Sequence, residues 1–211
     1  MFEYSLLHWT AFLSAAVLLN ISPGPDIAFI LGQTIRGGRR AGFAAMFGIW
    51  TGAFGHVLMA TLGLSAILAT SATAFSIVKW AGAAYLIWLG VRALRSSGQG
   101  LAPADVGDAS SSGRIFRQGA LIALLNPKVA IFFLAFLPQF VVPGAGPIWA
   151  QFFLHGVLII AVAALIEPPL VIAGARIAGA LRNNLTIGKW LDRGLGALFV
   201  ALGVRLAVAD R

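Results

Sequence analysis

The sequence predicts an all-α polytopic membrane protein. Its six transmembrane helices would form two inverted three-helix repeats, with helices one and four broken. Three observations lead there. The chain is 59% hydrophobic and only 10% charged, whereas soluble domains carry about 25% charged residues, so it cannot clothe itself in a polar surface. Its apolar runs far exceed a barrel strand of ~10 residues and show no period-two alternation. Two of these runs hold helix breakers and a charge at matching places, Asn20-Ile21-Ser22-Pro23-Gly24-Pro25-Asp26 and Asn126-Pro127-Lys128.

About 20 apolar residues cross a bilayer core, and six segments of the 211-residue chain qualify. Segment one covers residues 6–35, interrupted at 23–26, and segment two covers 41–68. Segment three covers 75–91, and segment four covers 115–140, interrupted at 126–128. Segment five covers 148–175 with Glu167-Pro168-Pro169 as a third break, and segment six covers 191–208. The polar stretch between Arg92 and Arg117 is rich in serine and glycine and reads as a linker. The domain organisation is therefore a first triplet at 1–95, a cytoplasmic linker at 96–113 and a second, inverted triplet at 114–211. Leu89-Gly90-Val91-Arg92 closes segment three and Leu202-Gly203-Val204-Arg205 closes segment six, as duplication requires.

Charge sets the orientation. Arg36, Arg39, Arg40, Arg92, Arg95, Arg114, Arg117, Arg176, Arg182, Lys189 and Arg193 all fall in connections on one side. Lys79, Arg205 and Arg211 fall on the other, and Lys128 lies within a span. The positive-inside rule makes the first group cytoplasmic, so both termini are expected outside. The net charge of +8 is dispersed between apolar blocks, which argues against a nucleic-acid partner. With no cysteine, disulfides and thiolate metal sites are excluded. Glu3 and the absence of an early Lys or Arg give no basic signal-peptide region, so no cleavage is expected.

Inside a bilayer, backbone groups freed by proline must be satisfied by protein or by water in a cavity. Paired broken spans therefore point to a transport site near the midplane. Pro23 and Pro25 lack donors, and Gly24 tolerates unusual dihedrals. Asp26 then sits at the N-terminus of a new half-helix, where a carboxylate is favoured, whereas Lys128 at the same kind of place is disfavoured. Lys128 accordingly calls for an anion: Asp26, Glu167 or a ligand carboxylate. The alternative reading makes Asp26 only a cap on a kink. Glu167 is a proton carrier or ammonium partner, or else a partner of a loop arginine. A zwitterionic amino acid suits this set: its carboxylate meets Lys128 and half-helix N–H groups, and its ammonium meets Asp26.

Gly48, Gly52 and His56 share one face of segment two, a stripe for close helix packing with His56 as an interhelical hydrogen-bonding group. Tyr85 presents a hydroxyl to the cavity or to a neighbouring helix. No His/Asp/Glu cluster has metal-ligand spacing, so neither metal nor cofactor is expected. Ser22 and Lys128 as a serine–lysine nucleophile pair would make the chain an intramembrane enzyme. The transport reading is preferred.

These residues also resemble the lysine exporter superfamily, in its homoserine/threonine-resistance branch. The similarity rests on Asn20 through Asp26, the Gly48/Gly52 segment and Lys79-Trp-Ala-Gly-Ala-Ala-Tyr85-Leu-Ile-Trp-Leu-Gly90. It continues through Asn126-Pro127-Lys128, Phe132-Phe133 and Leu137-Pro138-Gln139-Phe140. The resemblance implies a bacterial inner-membrane exporter of amino acids, driven by the proton gradient, with a homodimer as its assembly. It implies that Asn20, Ser22, Pro23, Gly24, Pro25, Asp26, Asn126, Pro127 and Lys128 form the functional core. Export of a basic amino acid or an inorganic ion on the same fold is the alternative.

Overall fold

A computed structural model describes residues 4–22, 24–66, 72–95, 111–174, 176 and 185–208. The described residues are overwhelmingly helical. Helix α1 spans Leu6–Ile21, α2 Pro25–Met59, α3 Ala72–Leu94 and α4 Ser112–Leu124. Helix α5, Pro127–Ile131, runs on through a π turn at Phe132–Phe136 and a 3-10 turn at Leu137–Phe140. Helices α6, Ile148–Ile172, and α7, Leu185–Val208, complete the set.

Both anticipated breaks are real. Helix α1 ends at Ser22, whose N–H still reaches Leu18 O. Gly24, fully extended at φ −171°, precedes a fresh start with Pro25 in the first turn. The second break repeats this: Asn126 caps α5 by accepting from Lys128 N at 3.0 Å, and Pro127 opens the helix. Proline suits a first helical position because the N–H it lacks would be unpaired there anyway. Helix α4 and the α5–Phe140 stretch meet at 47°.

Within α2 the chain reverses at Gly38, where φ is 68° and ψ is −170°. That left-handed geometry costs glycine almost nothing. The reversal is evident because Gly42 packs against Thr34, while eight residues of straight helix would separate them by about 12 Å. Arg36, Arg39 and Arg40 flank the turn and are exposed.

Two expectations need correction. Glu167-Pro168-Pro169 does not break its span: α6 runs continuously to Ile172. The prolines lie within its last two turns, so few hydrogen bonds are lost before the helix ends anyway. The predicted linker ends early as well, since α4 begins at Ser112; residues 96–110 lie outside the described set. Among the described residues, the Pro25–Leu64 stretch, which reverses at Gly38, contains an apolar window of membrane-crossing length, Ile148–Ile172 is long and apolar enough to cross, and the bent Ser112–Phe140 pair is a third candidate.

Packing relies on small residues. Helices α2 and α4 touch backbone to backbone: Gly48 lies on the carbonyl of Phe116 and Gly52 on that of Ala120, and a Cβ on Gly119 would stand 2.6 Å from Ala45 O. The α3–α7 pair is reciprocal. Gly90 faces Gly196 and Val200, while Gly203 faces Ala83 and Ile87. Each contact of one helix thus recurs with partners exchanged, the pattern of a self-complementary interface. A core of Phe12, Phe132, Phe133, Phe136 and Phe152 fills the space between α1, α5 and α6.

Because helix backbones fill the space beside Gly48 and Gly52, Gly52→Val is expected to cost about 1–3 kcal/mol through overpacking. Gly63→Ala serves as control, since nothing lies within 4 Å of its added carbon. Thermal unfolding in detergent checks this: Gly52→Val should lower Tm by several degrees and Gly63→Ala should not.

Candidate substrate cavity

The two breaks share one space. A cavity is lined by Leu19, Asn20, Ser22, Gly24 and Asp26 from the first break and by Lys128 and Val129 from the second. Trp50 and Ala53 of α2 and Ile159, Ala163 and Glu167 of α6 close its remaining sides. It leaves about 50 Å³ for the centres of water-sized molecules, several times the ~10–15 Å³ that one water needs.

Proline explains the polar contacts. In a continuous helix Leu19 O would accept from residue 23, but Pro23 has no N–H. The Lys128 ammonium donates instead to Leu19 O at 3.2 Å and to Ser22 O at 3.1 Å. A cation at a helix C-terminus is favoured by the dipole, so Lys128 reaches from a disfavoured helix start to a favoured helix end. These carbonyl contacts add to the sequence reading, which sought only an anion for it. Lys128 passes beside Gly24, where a Cβ would lie 3.5 Å from Nζ, in ordinary contact.

The second break is served in the same way. Pro127 deprives Ala123 O of its usual donor; Asn126 N donates to it instead at 3.1 Å, and His56 Nε2 approaches the same oxygen at 3.1 Å. A carbonyl only accepts, so His56 carries its proton on Nε2 here. His56 therefore makes an interhelical hydrogen bond, and Gly48 and Gly52 below it permit the approach.

Asp26 sits in the first turn of α2. Its Oδ2 accepts from Asn126 Nδ2 at 3.0 Å, a bond between the two breaks. Its Oδ1 is buried without a hydrogen-bond partner, as is Ser22 Oγ. Buried polar atoms are nearly always paired, and these two belong to residues that line one cavity. A serine–lysine nucleophile pair is not formed: Ser22 Oγ has no partner, whereas a nucleophile requires a base. Asn20 donates to Ala16 O at 2.8 Å and to Ile159 O at 3.3 Å, tying α1 to α6. The side chains of Pro23 and Tyr85 lie outside the described residues.

Trp50 is the residue that sequence reasoning missed. Its indole Nε1 donates to Glu167 Oε2 at 2.6 Å, and Glu167 is 4% exposed. The available signal was position: tryptophans in membrane proteins gather at the interfaces, yet Trp50 falls well inside segment two. A buried indole N–H needs an acceptor, and Glu167 is that acceptor rather than the partner of a loop arginine.

A family model described as LysE type translocator matches residues 17–210. The chain belongs to this family. It is thus a multi-pass membrane protein of a translocator family, which is the family the sequence motifs resemble. Two homoserine/homoserine lactone efflux proteins, from Salmonella typhi and Salmonella typhimurium, are each 34% identical over 201 residues, covering 95% of this chain and 96% of theirs. An uncharacterized membrane protein of Vibrio cholerae is 29% identical over 201 residues, covering 95% of this chain and 97% of its own. No solved structure matches the chain.

Trp50→Phe keeps an aromatic ring but removes the donor to a buried carboxylate, which costs about 1–3 kcal/mol. Tm should fall, and Trp50→Phe combined with Glu167→Leu should be more stable than the two single losses sum to. A double-mutant cycle by thermal unfolding reads that coupling.

Proposed function

We propose that the chain exports small amino acids or their derivatives across the bacterial inner membrane by proton-coupled alternating access. The observation that supports this most strongly is the meeting of the two breaks. Asp26 and Lys128 hold the same second position of two new half-helices, and both line one cavity. Opposite charges on facing half-helices suit a zwitterion. The ammonium of the substrate would meet Asp26 Oδ1 and Ser22 Oγ, and its carboxylate would meet Lys128. Ile49, Ala53, Ile159, Ile160 and Ala163 would take a small side chain. The efflux activity named for the Salmonella relatives supports the same substrate class and direction.

Two inverted triplets are the mechanical part of this reading. The exchanged partners in the α3–α7 contact support it, because inverted repeats pack in two near-equivalent ways, open to opposite sides. With the basic connections cytoplasmic, both termini are periplasmic. The cavity holds two carboxylates, Asp26 and Glu167, against the Lys128 ammonium. A neutral zwitterion leaves one negative charge in excess, and a proton on Asp26 or Glu167 removes it. Uncompensated charge inside a membrane is costly, so the empty cavity would hold that proton as well, and exchange arises where the substrate ammonium displaces it from its carboxylate. That same excess favours a second reading, export of a basic amino acid or an inorganic cation. A homodimer is the assembly this reading carries.

Proteoliposomes loaded with radiolabelled amino acids test it. Asp26→Asn and Lys128→Ala should each lower gradient-driven efflux at least about tenfold, ~1.4 kcal/mol of lost interaction. Glu167→Gln should keep amino-acid exchange yet lose acceleration by a pH gradient if Glu167 carries the proton. The same split in Asp26→Asn assigns the proton to Asp26. Unchanged flux in all three removes the cavity from the mechanism, and efflux confined to lysine, arginine or metal ions establishes the second reading.

A further inference from the structure

The end of α1 is rich in oxygen acceptors and poor in donors. Among the last carbonyls of the helix, Leu18 O keeps Ser22 N at 3.0 Å. Pro23 and Pro25 withdraw the donors that Leu19 O and Ile21 O would otherwise use. The Lys128 ammonium meets Leu19 O at 3.2 Å and Ser22 O at 3.1 Å. Two further oxygens belong to residues of the same cavity, Ser22 Oγ and Asp26 Oδ1, and both are buried without a hydrogen-bond partner. Ser22 is 2% exposed, so water in bulk does not serve it.

Carbonyl, hydroxyl and carboxylate oxygens gathered at a helix end are surroundings that suit a cation. The last carbonyls carry the negative end of the helix dipole, and in carriers built from broken helices such ends coordinate sodium ions or protons. Carbonyl oxygens do so by replacing the ion's shell of water. Here a charged group already stands on them, delivered from 106 positions away in the chain. The lysine ammonium is a compact point charge on a flexible stem, so it offers these carbonyls what a free monovalent cation would offer. Its stem runs past Gly24, where an added Cβ would lie 3.8 Å from Cδ. Cutting the side chain back to alanine vacates that path and leaves the oxygens in place. It also removes a positive charge from beside Asp26, a costly change inside a membrane.

We propose that the end of α1 is a monovalent-cation site, filled in this chain by the Lys128 ammonium and open to a free alkali or alkylammonium cation once that side chain is cut back. The first break then needs no inorganic cation, because Lys128 is a tethered one. No amino acid takes part in the test, so its failure is separate from failure of the transport reading. Thermal unfolding of the full chain in detergent is followed at about pH 7, where amines of this kind are charged. Sodium, propylammonium and choline chlorides are compared at equal ionic strength. Propylammonium supplies the atoms that Lys128→Ala removes, and choline, bulky and without N–H, is the reference. The native Tm should be the same in all three salts. In Lys128→Ala, sodium or propylammonium should raise Tm by several degrees over choline, since a cation at ten times its Kd raises the folded-to-unfolded ratio about tenfold. Adding Asp26→Asn should abolish that rise. Lys128→Arg, which keeps a tethered cation, should behave as the native protein does. Equal Tm values for Lys128→Ala in the three salts overturn the proposal. So does the same rise in the native protein, in Lys128→Arg or in the Asp26→Asn double variant. Failure of Lys128→Ala to fold in any of the salts overturns it too, because the cation supplied should restore the break.

Discussion

A proline inside a membrane helix strips a carbonyl of its donor, and the lipid offers nothing in return. That constraint organises the centre of this protein. Pro23 deprives Leu19 O of its helical donor, and Pro127 does the same to Ala123 O. Each receives a donor from the opposite half of the chain: Lys128 reaches Leu19 O, and His56 joins Asn126 N at Ala123 O. Their mutual supply draws the half-helix ends together, and the Asp26–Asn126 bond closes the connection.

The consequence is a small polar chamber in an apolar protein. One side carries Asp26 and Ser22 with unpartnered buried oxygens. Another carries Lys128 with its charge spread over two carbonyls, and a third carries Glu167 held by Trp50. Apolar side chains of α2 and α6 fill the gaps between them. Such a chamber holds opposite charges apart at fixed places, as the proposed recognition of a zwitterion requires. The polar atoms sit on helix ends rather than mid-helix, so a change in helix packing moves whole charged ends at once.

Small residues make the geometry attainable. With Gly48, Gly52 and Gly119 at the α2–α4 contact, the backbones touch, and His56 is carried close enough to reach Ala123 O. In lipid, where apolar side chains gain little by leaving their surroundings, close backbone packing supplies much of the attraction between helices. The glycine stripe and the histidine above it therefore act together.

The sequence alone determined the class of protein, the two breaks and the residues at them. Composition excludes a water-facing surface, and proline removes a backbone donor that no tertiary context can restore. Asp26 at a helix start and the Gly48–Gly52 stripe were legible because both depend on spacing along one helix. The partners were not legible, because they depend on how helices rotate against one another. Only the tertiary structure decided that Lys128 bonds the end of α1 and that Trp50 holds Glu167. It also decided that His8 meets His155, 147 positions away in the chain. Pro168 and Pro169 mark the same limit from the other side: their effect turned on where α6 ended, which packing settled and local sequence did not.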